Sequence, residues 1–170
     1  MRFRYSLKFR LEKFQTEGGD MLTQQALEQY HAHNLHWSAK LVSALENVQP
    51  SLALEWAIEC ARSLVIQAAP QDSREKLLRW LDDLSQAKVP AEGSDVMEKA
   101  RSIWYEERNI IGTAISHLYA ALAYLLRGDV GWYRTSVIWA MDIMGDHEYY
   151  RQTSLAIPLA LFERFMSKPN

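Results

Sequence analysis

The sequence contains few of the residues that interrupt helices and almost none of the residue that forms disulfides. Its 170 residues include one cysteine, seven glycines and five prolines. A single cysteine excludes an internal disulfide framework and a zinc site built from several thiolates. The scarcity of glycine and proline favours long helices, and a chain of this length is expected to form one domain.

The sequence also lacks a strong charge imbalance and a targeting pattern. Its net charge is -2, so it predicts no nucleic-acid partner. Residues 1–20 have no continuous apolar stretch of the kind found in secretory signals, which makes a cytoplasmic protein the expectation. The uncharged stretch 109–126 is interrupted by polar residues such as Asn109 and His117. It therefore predicts a buried central helix and no membrane span.

Hydrophobic residues make up 48% of the chain and charged residues 24%, fractions that are typical of a soluble globular protein. The six tryptophans are more than usual for this length. Helix signals follow one another from residue 23 to residue 166. We predict an all-α fold, a single multi-helix domain of six to seven helices in antiparallel hairpins. The predicted helices cover residues 23–33, 37–48 and 52–68, a fourth from about residue 72, then 95–126 with a kink or break at Gly112, 130–144, and 147–166 with a bend near Pro158.

The first twenty residues differ from the rest of the chain in charge. They hold five bases and three acids, whereas the chain from Met21 onward holds 14 bases and 18 acids. We therefore predict a basic N-terminal appendage, 1–20, before a helical domain, 21–170. Apolar and polar residues alternate from Phe3 to Leu11, which favours a short β-strand. A basic amphipathic helix and an artefact of the start site are the alternatives.

The densest group of candidate metal ligands lies between His31 and Trp37. His33 and His36 are three residues apart, so on a helix their imidazoles could share a metal ion. Glu28 and His31 form one Glu-x-x-His pair, whereas a di-iron bundle needs two. We expect solvated histidines at a helix end, and a metal-binding helical-bundle enzyme using His33, His36 and a third ligand is the alternative.

The sequence has no catalytic or cofactor-binding signature. It contains no Gly-x-Ser-x-Gly, Walker or Gly-x-Gly-x-x-Gly motif. Cys60 lies among apolar residues, which raise the pKa of a thiol and make it unreactive. A lone histidine on an apolar helix, such as His117, is most often a hydrogen-bonded core residue. We therefore predict a protein that is not an enzyme, with no catalytic residue, no cofactor and no metal.

Residues 54–62, with the sequence LEWAIECAR, are followed by a loop at Pro70-Gln71-Asp72 and by Leu77-Leu78. Over residues 50–145 this pattern resembles the all-helical immunity proteins of bacterial polymorphic toxin systems. The resemblance implies a non-enzymatic protein that binds one cognate toxin and blocks its active site or a required movement. A self-associating helical adaptor that pairs through residues 3–11 is another alternative, because a single strand needs a partner strand.

Two kinds of residue are candidates for contact with such a partner. An acidic surface can attract a basic partner such as a nuclease, and tyrosine and arginine are common anchors at the centre of interfaces. The candidate partner-binding residues are Asp82, Asp83, Glu106, Glu107, Tyr149, Tyr150 and Arg151.

Overall fold

A computed structural model describes residues 20–86 and 93–167. Within these ranges all regular secondary structure is helical, which confirms the predicted fold class. Helix α1 covers residues 20–31, and the others are α2 (Ala39–Val48), α3 (Leu52–Ala68), α4 (Gln71–Ser85), α5 (Gly93–Glu106), α6 (Ile110–Leu126), α7 (Val130–Gly145), α8 (Glu148–Gln152) and α9 (Ala156–Met166). The described ranges thus hold nine helices, two more than predicted, because two predicted helices are each interrupted.

The predicted helix over 95–126 is two helices that meet at residues 107–109. Asn109 begins the second one, since its side-chain oxygen accepts a 2.8 Å hydrogen bond from the main-chain N–H of Gly112. A β-carbon on Gly112 would collide with the main-chain oxygen of Glu107. Gly112 is therefore needed for a close approach of the two helix ends. The predicted break exists, but it lies at residues 107–109 and not at Gly112, which is the third residue of α6.

The predicted helix over 147–166 is also two helices, but the predicted bend at Pro158 is wrong. The interruption lies at residues 153–155, where Ser154 and Leu155 adopt left-handed backbone conformations with φ of 50° and 59°. Pro158 is the third residue of α9, and the first turn of a helix tolerates proline because its N–H groups have no partner within the helix. The helix bends where the chain leaves helical φ values, not at the proline.

Helices α5, α6 and α7 form an antiparallel layer with α6 in the middle, and α3 packs across its inner side. Helix α3 also contacts α2, α4, α8 and α9, so it is the central element of the core. Trp56 and Cys60 on this helix are completely buried, and burial raises the pKa of the Cys60 thiol well above its ordinary value. Cys60 is therefore the inert core residue that the sequence predicted.

Helix α6 is nearly enclosed, as its uncharged sequence predicted. Only its two terminal residues, Ile110 and Leu126, are exposed. Within the described ranges no helix is both long enough and apolar enough to cross a lipid bilayer. The predicted strand or amphipathic appendage at the N-terminus falls on residues 1–19, which lie outside the described residues.

Candidate protein-binding surface

The outer side of the α6–α7 hairpin carries a row of aromatic side chains, which we call the aromatic stripe: His117, Tyr124, Trp132 and Trp139. Each helix contributes two of them seven residues apart, and that spacing places them on one helical face, two turns from each other. Because the helices are antiparallel, Tyr124 faces Trp132 and His117 faces Trp139. The hairpin therefore brings four rings from two helices into one row.

The rings of the aromatic stripe touch in sequence along the hairpin. Tyr124 stacks on Trp132 with ring centroids 6.0 Å apart, and Trp132 meets Trp139 edge to face at 6.2 Å. His117 continues the row with an edge contact to Trp139 at 5.8 Å. Such contacts fix the orientations of the rings, and each contributes about 0.5–1.5 kcal/mol beyond the buried area.

Much of the aromatic stripe is exposed to solvent, although contacts between its rings hold them in place. The exposed fraction is 50% for Trp132 and 39% for Trp139. An aromatic side chain carries about 150–250 Å² of surface, so these two tryptophans together expose about 130–220 Å². Leu126 and Val130, at the connection between the two helices, are also about half exposed. The largest apolar patch on a typical monomeric protein covers about 300–600 Å² and is often functional, and the two tryptophans with Leu126 and Val130 approach that size.

The four side chains of the aromatic stripe carry no charge at pH 7, and the exposed Arg127 and Asp129 lie in the connection at its end. Residues 109–126 contain no charged side chain, and burial lowers the pKa of His117, which is therefore neutral at pH 7. The two charged residues of α7 are engaged with other helices and loops. Arg134 donates to Glu46 at 2.7 and 2.8 Å, and the carboxylate of Asp142 accepts from His36 at 2.7 Å.

A second exposed aromatic pair lies at the opposite end of α6, where α5 ends. The rings of Trp104 and Tyr105 meet edge to face with centroids 5.0 Å apart, and the guanidinium of Arg108 lies 5.5 Å from both ring centroids. Trp104 is 44% exposed. Unlike the aromatic stripe, this pair carries a cation, so the two exposed aromatic groups differ in charge.

Of the four predicted acidic residues, Asp82 and Asp83 lie on α4, Glu106 is the last residue of α5 and Glu107 follows it. Bases partly balance their charge. The guanidinium of Arg62 on α3 pairs with Asp82. The Nζ atom of Lys76 on α4 lies 3.3 Å from Glu106 and 2.5 Å from Glu107, so this lysine pairs with both carboxylates and leaves the group with a net charge of about -1. Burial raises the pKa of the Tyr119 hydroxyl, and the negative charge of Asp83 adds to that rise.

The three predicted anchor residues on α8 have different surroundings. Tyr150 is completely buried, and its hydroxyl donates to the main-chain oxygen of Cys60. Tyr149 is half-buried and packs its ring against Tyr150 at 5.8 Å, and Arg151 is exposed. In this structure Tyr150 is a core residue, so only Tyr149 and Arg151 can contact a partner without rearrangement.

The histidines between α1 and α2 lie in a turn and not on a helix. His33 and His36 have left-handed backbone conformations with φ of 58° and 64°, so the helical spacing that would place their rings together does not apply. The main-chain N–H and the ring Nδ1 of His36 both bind the carboxylate of Asp142, at 3.0 and 2.7 Å. His36 thus fastens this turn to α7. Across residues 20–86 and 93–167 no three histidine, cysteine, aspartate or glutamate side chains are grouped so that they could hold a metal ion.

Sequence reasoning missed the aromatic stripe, although a signal for it exists. The seven-residue spacing of Trp132 and Trp139 places both on one face of α7, while the buried residues Tyr133, Val137 and Met144 occupy another. A helix with aromatic residues on both faces cannot bury all of them against one core. The sequence alone could not reveal that His117 and Tyr124 on α6 lie beside these tryptophans, because that pairing depends on the register in which the two helices pack.

Similarity to known proteins does not identify this surface. No protein-family model matches the chain, and no significant match exists among curated proteins or solved structures. The segment 54–62 belongs to α3, and Trp56 and Cys60 within it are completely buried. Its buried side chains pack in the core, whereas the aromatic stripe lies on α6 and α7.

Proposed function

We propose that this chain is a non-enzymatic immunity-type protein, which binds a cognate bacterial toxin and neutralises it by covering a surface that the toxin needs. The observation that carries the proposal is the aromatic stripe on α6 and α7. Tryptophan and tyrosine are over-represented among the residues that dominate binding energy at protein interfaces. The class of partner comes from the sequence resemblance to immunity proteins.

The chemistry of the aromatic stripe suits a partner surface that is apolar and uncharged. With His117 neutral and Arg134 and Asp142 engaged elsewhere, a charged partner group placed over the stripe away from Asp129, which caps α7 at Trp132, would be desolvated without an opposite charge. One side of a standard interface buries about 800 Å², so the stripe would form the apolar centre of a larger contact. Polar residues around it would form the rim.

The two alternatives from the sequence gain less support. The metal-enzyme hypothesis needs His33 and His36 together with a third ligand, but the described residues offer no such group. Self-association through residues 3–11 concerns residues outside the described ranges. The aromatic stripe could also bind a second copy of the chain, and the experiment below separates that outcome from toxin binding.

The test combines the gene neighbourhood with a binding measurement. The toxin-like reading frame next to the gene is expressed as a catalytically inactive variant and purified, and its affinity for this protein is measured by calorimetry. Trp132→Ala and Trp139→Ala should each weaken binding by about 30-fold or more, since a central tryptophan contributes about 2 kcal/mol or more to an interface. Co-expression should also protect cells from the active toxin, and the two variants should lose that protection.

Trp104→Ala is the matched control, because this tryptophan has a similar exposed fraction but lies outside the aromatic stripe. It should leave affinity and protection unchanged. The proposal is overturned if no toxin-like frame lies beside the gene, or if the stripe variants bind a neighbouring toxin as tightly as the parent protein. A solution mass of two chains that returns to one in Trp132→Ala would instead assign the stripe to self-association.

A further inference from the structure

A groove of about 410 Å³ lies on the inner side of α6, opposite the aromatic stripe. Its volume falls within the range of about 300–1,000 Å³ that is typical of binding pockets. Three helices supply most of its apolar floor: α3 with Leu54 and Ile58, α6 with Leu122 and Leu125, and α9 with Leu161 and Phe165. This floor is apolar enough to hold several hydrophobic side chains.

Charged residues of α3 and α9 border this groove. Glu55 and Glu59 lie one turn apart on α3, and Arg164 lies on α9. Glu55 accepts a 3.0 Å hydrogen bond from the Ser51 hydroxyl, and Glu59 is 3.4 Å from the guanidinium of Arg62. Glu59 thus already pairs with a base, whereas Glu55 is exposed and accepts from a neutral hydroxyl, so an occupant that combines apolar side chains with basic ones fits best beside Glu55.

The N-terminal segment of this chain has that composition. Residues 1–11 contain Arg2, Arg4, Lys8 and Arg10 and no acidic residue. Apolar residues alternate with these bases from Phe3 to Leu11. The chain from Met21 onward has a net charge of -4, so the segment is attracted to the body as a whole and most strongly to an acidic border.

The position of α1 makes the groove reachable. The hydroxyl of Thr23 lies 3.2 Å from a carboxylate oxygen of Glu163 on α9, so α1 begins beside the helix that forms one wall of the groove. The nine residues from residue 11 to residue 20 can span about 30 Å. A helix with its side chains is only about 10–12 Å wide, so the segment is long enough to pass around α9.

We propose that residues 3–11 bind in this groove within the same chain. Their apolar side chains contact the floor formed by α3, α6 and α9, and their basic side chains lie at Glu55 and Glu59. The segment then completes the hydrophobic core from the side of α9. Leu122 and Leu125 face the groove, whereas Tyr124 on the same helix belongs to the aromatic stripe. The bound segment therefore leaves the stripe accessible. This proposal does not depend on the identity of a toxin.

A spin label tests the proposal in the full chain. Ser6→Cys introduces a cysteine at a polar position of the segment and leaves every apolar residue in place. The native Cys60 is completely buried, so a thiol-reactive nitroxide attaches at position 6. Methyl signals of Leu122, Leu125 and Leu161 should lose intensity in NMR spectra, whereas the indole N–H signals of Trp132 and Trp139 should keep theirs.

Charge reversal provides the second arm. Glu55→Lys combined with Glu59→Lys should restore the methyl intensities. The matched control is Glu75→Lys combined with Glu98→Lys, which reverses two exposed acids on α4 and α5 and should leave the broadening unchanged.

Two results would overturn the proposal. The first is that the methyl signals of the three groove leucines keep their intensity, or that they lose no more intensity than the indole signals of Trp132 and Trp139. The other is broadening that arises only between chains, seen when spin-labelled unenriched protein is mixed with unlabelled isotope-enriched protein. That second result would make a second copy of the chain the donor of the segment.

Discussion

The aromatic residues of the interior and those of the aromatic stripe are of the same types but have different partners. Among the buried aromatic residues, Trp37 has an Nε1 atom with no hydrogen-bond partner, but four others bind the main chain of a distant element through their polar ends. The indole N–H of Trp56 donates to the carbonyl of Pro158 at 3.0 Å, the hydroxyl of Tyr119 donates to Trp80 at 2.6 Å, and that of Tyr133 donates to Pro50 at 2.7 Å. In the aromatic stripe the rings contact one another.

This difference separates aromatic residues that hold the fold together from those available for binding. A buried indole or hydroxyl without an acceptor costs about 1–3 kcal/mol. Trp56, Tyr119 and Tyr133 avoid that cost with carbonyls 39 to 102 residues away in the chain, and they thereby connect separate helices. The stripe tryptophans keep about half of their surface in water, so they contribute little to the core and can contact another protein.

The largest effect is expected for Trp56→Ala, which empties the centre of α3 and leaves the Pro158 carbonyl without its donor. The change should lower the free energy of unfolding by about 3–5 kcal/mol, measured by urea denaturation. Trp104→Ala, which removes the same side chain from an exposed site, should have a much smaller effect. A loss below about 1 kcal/mol for Trp56→Ala would contradict the distinction between the two groups.

A smaller effect is expected for Tyr133→Phe, which removes only a hydroxyl. That hydroxyl donates to the Pro50 carbonyl and accepts a 3.2 Å hydrogen bond from the main-chain N–H of Leu54. Its loss leaves two main-chain groups unpaired at the start of α3, and stability should fall by about 1–3 kcal/mol. Tyr105→Phe, at an exposed position, should change stability by less than about 0.5 kcal/mol. Equal effects in the two variants would argue against the anchoring role of Tyr133.

Substitution in the aromatic stripe should cost still less stability. Trp139→Ala removes two ring contacts, with His117 and Trp132, each worth about 0.5–1.5 kcal/mol, and a side chain that is 39% exposed before the change. Thermal or urea unfolding measures this change. A loss of 3 kcal/mol or more, comparable with the range expected for buried aromatic residues, would place Trp139 in the core and remove the stripe as a binding surface.

The smallest effect concerns pH and His117. Burial lowers the pKa of this histidine in the folded protein, so the unfolded chain binds a proton at higher pH, near the ordinary value of about 6.5. Stability should therefore fall as the pH drops from about 7 through that value towards the lowered pKa, and should not fall further from this group below it. His117→Gln should flatten this part of the stability curve.

Urea denaturation at several pH values measures the His117 effect as the difference between the two proteins. His147 also has a pKa lowered by burial, but it contributes equally to both curves. A pH profile unchanged by His117→Gln would show that the histidine is as solvated as in the unfolded chain, and that the stripe is more open than its geometry indicates.

Much of the helical architecture could be predicted from local signals. The bounds of α3 match the predicted 52–68, and α7 exceeds its prediction by one residue. In both cases the apolar pattern and the flanking turn residues agree. The split at residues 153–155 was missed because Ser154 and Leu155 are residue types that seldom adopt left-handed conformations, so nothing in their identity indicates the break. Pro158 was misleading because its effect depends on its distance from a helix start that the sequence did not reveal.

The predicted site residues show a similar limit. Tyr149 and Tyr150 are adjacent and identical in type, yet Tyr150 is in the core and Tyr149 lies at its edge. Acidic pairs such as Glu106 and Glu107 were expected at the surface, but the lysine that balances them comes from α4, 30 residues earlier in the chain. Pairings across such separations depend on helix packing, which local composition does not encode.

By itself the sequence determined an all-helical, cysteine-poor domain with an uncharged central helix and a basic N-terminal segment. These properties follow from composition and from periodicity within single helices, which local physical chemistry controls. The tertiary structure alone decided which of the many aromatic residues are buried, because burial depends on the register in which α6 and α7 pack and on the helices that cover each face. That register creates the aromatic stripe, and the packing of α3, α6 and α9 creates the groove.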